Sequence, residues 1–194
     1  MGTTGRYAIG PSTQVFLDAC AGAIHRTLLA TEPIALPFPV TFFGCTDSAA
    51  WVSTNGILGI GSASSNEYNN LCLPNAEAPR GTILAFWDDL AMNDGVCTAM
   101  FGAPGDRAFV VQWSNANFYA GNTSSRLDFE VVLHEGSDVI DVVYRTMTDG
   151  TEPGRGSGTS ATIGVVDAFG AGAVQYGCNA PVIHAPQALR FTPR

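Results

Sequence analysis

Positive charge is scarce in this chain of 194 residues. It contains no lysine, its 9 basic residues are all arginines, and its 17 Asp and Glu residues bring the formal net charge to -8. Proteins that bind nucleic acid by neutralising phosphates concentrate Lys and Arg on their surface. The charge balance therefore excludes nucleic acid as the partner.

Long hydrophobic runs are missing as well. Pro37, Pro39, Asp88 and Asp89 interrupt the most apolar stretches, so none approaches the roughly 20 residues of a membrane-spanning helix. The N-terminus also lacks the basic and apolar regions of a signal peptide. We expect no membrane insertion, and we interpret Met1 as an expression start placed before a mature segment.

The composition is that of a folded domain made of strands. Hydrophobic residues make up 46% of the chain and charged residues only 13%, so the chain has enough apolar surface for a core. Its 22 Gly and 11 Pro divide it into short segments, which is typical of strands joined by turns. The length fits one large all-β domain.

Alternating hydrophobicity marks the strands. In residues 127–134, Leu127, Phe129, Val131 and Leu133 share one face and polar residues occupy the other. Short strands at this spacing predict an all-β fold, a two-sheet antiparallel β-sandwich that is jelly-roll-like and has little helix. The predicted strands are residues 40–43, 51–60, 82–86, 96–101, 107–113, 127–134, 139–144, 161–166, 174–176 and 189–191.

Two further expectations concern the N-terminal part. Residues 18–29 are the only helical candidate, because Ala21, Ile24 and Leu28 would share a stripe there. Residues 1–32 are expected to be an N-terminal extension or an added strand, and residues 33–194 the sandwich itself.

The cysteines bear on the compartment. There are 5, without a CxxC pair, which argues against a zinc site. Each lies beside a turn, where a disulfide would tie loops together and indicate an oxidising compartment. The alternative is that they are small buried residues of a cytosolic protein, and spacing alone does not determine which cysteines pair.

The richest cluster of oxygen ligands is Asp88 and Asp89, with Asn93 and Asp94 just beyond. Calcium prefers such ligands, so a calcium site is the functional interpretation. The simpler interpretation is that Asp88 or Asp89 caps a turn by binding backbone amides. A carboxylate-dependent hydrolase is a third alternative, but neighbouring strand residues point to opposite faces and are poorly placed to flank one bond.

Aromatic residues near residue 118 suggest a carbohydrate site. Trp113 and Trp51 lie at strand ends and are expected to cap the core, which leaves Phe118 and Tyr119 as an exposed pair able to stack on a sugar ring. Asn115 and Asn117 would bind sugar hydroxyls nearby.

Read together, these segments resemble an extracellular β-sandwich module of large secreted and surface proteins of bacteria, myxobacteria especially, which is distantly similar to the nidogen-type domain. The resemblance covers roughly residues 33–192. It is carried, in order, by Leu36-Pro37-Phe38-Pro39-Val40, Val52-Ser53-Thr54-Asn55-Gly56, Ala85-Phe86-Trp87-Asp88-Asp89-Leu90, Phe109-Val110-Val111-Gln112-Trp113, Phe129-Glu130-Val131-Val132-Leu133-His134, Ala161-Thr162-Ile163-Gly164-Val165 and Gln175-Tyr176.

The resemblance implies a location and a class of function. Members are usually non-catalytic parts of adhesins and surface assemblies, so it implies a secreted or cell-surface, non-enzymatic module for adhesion or ligand binding, with a surface glycan or protein as the partner. It also implies at least one disulfide, which joins Cys72 to either Cys97 or Cys178.

A structural role is the alternative function. Sheet edges accept strands from neighbours, and the N-terminal part contains two candidate donors, Tyr7-Ala8-Ile9 and Val15-Phe16-Leu17. Strand exchange would link copies into a surface fibre. The competing expectation is that these residues pair within their own chain, which costs less loop entropy.

Overall fold

The structure, a computed structural model, describes residues 7–23, 25–119, 122–170 and 172–194. These residues form thirteen strands and no helix. The strands are β1 (Tyr7–Pro11), β2 (His25–Thr27), β3 (Thr31–Phe42), β4 (Cys45–Ser53), β5 (Ile57–Ile60), β6 (Thr82–Trp87), β7 (Leu90–Phe101), β8 (Ala108–Phe118), β9 (Asn122–His134), β10 (Ile140–Thr148), β11 (Thr162–Val166), β12 (Ala173–Cys178) and β13 (Gln187–Pro193).

The strands form two antiparallel sheets. Sheet 1 has seven strands in the order β1-β13-β10-β9-β8-β7-β2, and sheet 2 has six in the order β12-β11-β6-β5-β4-β3. Consecutive strands β3 to β6 and β7 to β10 pair as meanders. The predicted two-sheet antiparallel sandwich is confirmed. No helix in the described ranges is long and apolar enough to cross a membrane.

The core lies between the sheets and is rich in aromatic side chains. Trp113 of β8 stacks on Phe129 of β9 with 5.1 Å between ring centroids, and its indole N–H donates to the Ser53 carbonyl of sheet 2 at 2.8 Å. The Tyr144 hydroxyl of β10 donates to the Ala85 carbonyl of β6 at 2.6 Å. Full burial of each such ring stabilises the fold by about 2–3 kcal/mol, and these two hydrogen bonds join one sheet to the other.

Two sequence predictions about secondary structure are wrong. Residues 19–22 form a turn, and β2 pairs with β7, so the described part of the helical candidate at residues 18–29 contains no helix. Residues 51–60 are not one strand but the end of β4, a turn and β5. Gly56 makes this turn possible, because its φ is 77° and a Cβ there would lie 2.0 Å from the Phe86 carbonyl oxygen.

The N-terminal residues complete sheet 1 of their own chain. β1 pairs antiparallel with β13, from Tyr7 opposite Pro193 to Pro11 opposite Leu189. Residues 15–17, the second candidate donor, lie outside any strand. β1 therefore pairs within its own chain rather than being free for a neighbour.

Residues 12–20 then cross the outer face of sheet 1, and we call them the N-terminal strap. The strand register places Val143, Glu130, Gln112 and Cys97 in one row across four strands. The strap follows this row. The Leu17 amide donates to Glu130 Oε1 at 2.9 Å, the Cys20 amide donates to Gln112 Oε1 at 3.1 Å, and a disulfide joins Cys20 to Cys97.

Residues 61–81, the central strap, cover the outer face of sheet 2. This strap packs Leu71 and Leu73 against a buried cluster that contains Trp51 and Trp87. The Trp87 indole N–H donates to the Glu67 carbonyl at 2.9 Å. Trp51 therefore lies beneath the strap, whereas Trp113 lies in the core between the sheets.

Two disulfides are present. Cys72 is bonded to Cys178, which confirms one of the two expected pairs, and it ties the central strap to β12. The alternative pair, Cys72 with Cys97, is wrong because Cys97 is bonded to Cys20 of the N-terminal strap. Cys45 is exposed and is not part of a disulfide.

Candidate functional site

Several connections meet at the end of the sandwich where β4, β6 and β8 end, and they surround an open cleft of about 440 Å³. The central strap forms one wall of this cleft. The residues that line it are Ala30, Thr54, Asn55, Asn66, Tyr68, Asp89, Leu90 and Tyr119. We call it the tyrosine cleft.

Two tyrosines project at the cleft. Tyr119 is 61% exposed and Tyr68 is 50% exposed. The backbone beneath each is held in place, since the Tyr119 amide donates to the Asp89 carbonyl at 2.9 Å and the Tyr68 amide donates to Glu67 Oε1 at 3.0 Å. The rings are thus presented to solvent from anchored backbone.

The polar groups of the cleft are organised around Asn55. Its side chain is buried, its Oδ1 accepts the Leu90 amide at 3.2 Å, and its Nδ2 donates to Asn66 Oδ1 at 3.4 Å. The Thr54 amide donates to the Ala30 carbonyl at 3.1 Å. These bonds connect three loops and the central strap before any ligand arrives, which lowers the ordering cost of binding.

The two adjacent aspartates have different roles in the structure. Asp89 lines the cleft, and burial raises its pKa while nearby Arg155 opposes that shift. Asp88 is buried and accepts hydrogen bonds from the Ser160 hydroxyl at 2.6 Å and from Arg155 at 3.3 Å. Burial raises the pKa of Asp88 as well, although the Ser160 and Arg155 contacts counteract it.

This Asp88 network holds residues 149–160 against the end of β6. Arg155 also pairs with Glu152 at 3.1 Å and lies over the Phe118 ring, with its guanidinium carbon 4.1 Å from the ring centroid. Asp88 is therefore already bonded to the protein, and Asp89 is the carboxylate available at the cleft.

Of the residues predicted to bind a carbohydrate, the structure places only Tyr119 at the cleft. Phe118 is 1% exposed and packs against Phe86 in the core, so its expected exposure is wrong. The cause is a bulge in β8 between Trp113 and Ala116, where Asn115 has a φ of 50°. An extra residue there shifts the alternation of side chains, so Phe118 points inward like Trp113.

Asn115 and Asn117 do not line the tyrosine cleft. The Asn115 amide donates to Asp128 Oδ1 at 3.0 Å, and the Asn117 side chain donates to Asn93 Oδ1 at 3.2 Å. These hydrogen bonds join the bulged part of β8 to the neighbouring strands β9 and β7.

The residues predicted to bind calcium are separated by their own contacts. Asp88 is bonded to Ser160 and Arg155, Asn93 accepts from Asn117, and Asp94 is exposed with its carbonyl bonded to Arg26. Within the described ranges no group of three or more His, Cys, Asp or Glu is placed to hold a metal ion. The calcium site stays a prediction from the sequence.

Sequence reasoning missed Tyr68, Asn66 and Asn55. The signal was an aromatic residue within the polar run Asn66-Glu67-Tyr68-Asn69-Asn70, in a long connection without strands. Long ordered connections of this kind are often functional. The position of Asn66 and Tyr68 in the cleft depends on the packing of the central strap on sheet 2, whereas Asn55 lies in the turn between β4 and β5.

A comparison with family models gives a match over residues 6–193, and the matching model is described as NIDO related. The chain belongs to the NIDO-related family. The match begins at residue 6 rather than near residue 33, so β1 and the N-terminal strap are part of the family domain. No curated protein and no solved structure gave a match.

This NIDO-related domain has features that are compatible with an extracellular location. It contains two disulfides. Disulfides persist in oxidising compartments and are rare in the cytosol. An all-β domain of this family is also compatible with a non-enzymatic module.

Proposed function

We propose that this chain is a secreted or cell-surface, non-enzymatic module for adhesion, and that it binds a glycan in the tyrosine cleft. The observation that carries the proposal is the cleft itself, in which Tyr68 and Tyr119 project above an organised set of amide and hydroxyl groups. Aromatic faces stack on the C–H faces of sugars, and amide groups bind their hydroxyls.

The arrangement suits binding better than hydrolysis. Glycoside hydrolysis uses two carboxyl groups that face one bond, and here Asp88 is bonded to Ser160 and Arg155 while Asp89 faces the cleft. The hydrolase alternative would require turnover of a glycan that is lost in Asp88→Asn. The fibre alternative has no support in the described residues, since β1 already pairs with β13 of the same chain.

The test is a glycan array probed with the natural chain and with Tyr68→Ala and Tyr119→Ala. Loss of one stacking ring should weaken binding about tenfold or more, with an unchanged melting temperature because both side chains are exposed. The matched control is Phe169→Ala, which removes an aromatic that is 72% exposed in the β11–β12 turn at the opposite end.

Tyr119→Phe should keep most of the affinity, because the ring is preserved. Equal binding by the natural chain and both alanine variants would contradict the proposed site. Absence of binding to every neutral, amino and acidic glycan on the array would contradict the proposed function.

A further inference from the structure

The charge around the tyrosine cleft points to the class of glycan that it accepts. Among the described residues that line the cleft, Asp89 is the only one with an acidic or basic side chain. The remaining polar contacts come from the neutral groups of Thr54, Asn55, Asn66 and the two tyrosines. A bound ligand therefore meets one negative group and no positive one in this lining.

Arg155, whose charge opposes the rise in the pKa of Asp89, does not add a cation to this lining. Its guanidinium is bonded to Asp88 at 3.3 Å and to Glu152 at 3.1 Å. Exchange of these partners for a ligand would leave Asp88 buried without its counter-ion, which is costly. The guanidinium of Arg155 is thus paired within the protein, and we do not expect it to bind an anionic ligand.

The charge of the whole chain also favours a cationic ligand over an anionic one. Its net charge of -8 creates a field that disfavours approach of anions and favours cations. An anionic sugar would bring a second carboxylate next to half-buried Asp89, whereas an ammonium group would form a charge-assisted hydrogen bond with it.

We propose that the tyrosine cleft selects glycans that carry a protonated amino sugar over neutral glycans, and rejects glycans that carry a uronic acid at the bound unit. The inference rests on the proposed function and adds the charge of the ligand. One sugar unit lies against Tyr68 and Tyr119, and its ammonium group donates to the Asp89 carboxylate.

The test uses two matched series of oligosaccharides, one of glucose, glucosamine and glucuronic acid units and one of galactose, galactosamine and galacturonic acid units. Affinity is measured by calorimetry at about pH 6, below the pKa of a typical aliphatic amine. In the series that binds, we expect the amino form to bind about two- to fivefold more tightly than the neutral form and the acidic form to bind most weakly.

Asp89→Asn is the decisive variant. It preserves the size of the side chain and removes its charge, so the decisive measurement is the ratio of the affinities for the amino and neutral forms, which should fall to about one. Asp94→Asn, which removes an exposed carboxylate outside the lining, is the matched control and should keep the preference. Melting temperatures establish that both variants fold.

The outcomes separate the two proposals. If neutral glycans bind in a tyrosine-dependent manner but acidic forms bind equally well, or if Asp89→Asn keeps the amino preference, the charge inference is wrong and the proposed function stands. If no member of either series binds, the charge inference is wrong, and the proposed function is contradicted as well only if the glycan array also shows no binding.

Discussion

The two straps cover the two outer faces of the sandwich in different ways. The N-terminal strap lies on a polar row, where its amides donate to the buried side chains of Glu130 and Gln112. The central strap lies on Trp51, Trp87 and other apolar side chains. Each is joined to its sheet by one disulfide.

The difference has consequences for stability and for the site. The N-terminal strap packs on a buried carboxylate, so its contribution to the free energy of unfolding should depend on pH, because the protonation state of that group is linked to folding. The central strap packs on apolar side chains instead. Tyr68 and Asn66 belong to the central strap, so one wall of the cleft is built on the apolar contact.

Removal of the disulfides should produce the largest changes in stability. It should also show that only the central strap affects glycan binding. The bonds span 77 and 106 residues, and loss of either should cost about 4–5 kcal/mol at most, by the loop-entropy relation. Cys72→Ser with Cys178→Ser should also weaken glycan binding about tenfold, because Tyr68 loses its anchored strap. Cys20→Ser with Cys97→Ser should lose similar stability but keep the affinity.

Denaturant unfolding and calorimetry measure the two effects. Both double variants should also carry Cys45→Ser, since Cys45 is exposed and outside the disulfides and would otherwise exchange with the bonded cysteines. An equal loss of affinity in both pairs would show that the straps do not differ in their relation to the cleft.

The second prediction concerns pH and the N-terminal strap. Burial raises the pKa of Glu130 from 4.5 to about 8, a shift that Asp18 reinforces while the Leu17 amide and Arg145 oppose it. Between these two pH values the folded chain keeps a proton that the unfolded chain has released. Stability should therefore fall as the pH rises from about 4.5 to about 8, and then level off.

Glu130→Gln should remove this fall, because the amide oxygen still accepts from Leu17 but does not ionise. At about pH 8 the variant should be more stable than the natural chain by roughly 4 kcal/mol, and at about pH 4.5 the two should be similar. Glu77→Gln, at an exposed position of the central strap, is the control and should leave the pH profile unchanged. A natural chain equally stable at both pH values would contradict the buried protonated carboxyl.

The third prediction concerns the apolar base of the central strap. A Cβ at Gly59 would lie 2.0 Å from the ring of Trp51, its partner on β4. Gly59→Ala should displace this indole toward the strap and destabilise the fold by about 2 kcal/mol. Gly10→Ala in β1 is the matched control, because no atom lies within 4 Å of the added methyl group. Equal melting temperatures for the two variants would show that Trp51 is not tightly packed.

The sequence predicted the sheets better than it predicted the site, for a physical reason. Alternation in a segment such as Leu127 to Leu133 is a local property that reports which face is buried. The described part of residues 18–29 contains no helix, because distant contacts decide the conformation there. The disulfide to Cys97 and the pairing of β2 with β7 override a weak local preference.

The position of the candidate site depends on features that the alternation of hydrophobic and polar residues does not reveal. The bulge at Asn115 reverses the direction of Phe118, so one of the two predicted aromatics lies in the core. Tyr68 and Tyr119 are far apart in sequence, and only the packing of the central strap on sheet 2 brings both to one cleft. The sequence predicts Tyr119 as a carbohydrate-binding residue and Asp89 as a calcium ligand, and the structure places both in the lining of the cleft.

The central claim is that a glycan binds in the tyrosine cleft, and resonance mapping tests it most directly. Amide and aromatic resonances of the chain are followed by NMR while the best glycan from the array is added. We expect the shifts to concentrate at Asn66, Tyr68, Asp89 and Tyr119. Shifts confined to Asn93, Asn115 and Asn117, or spread over the opposite end near Phe169, would contradict it.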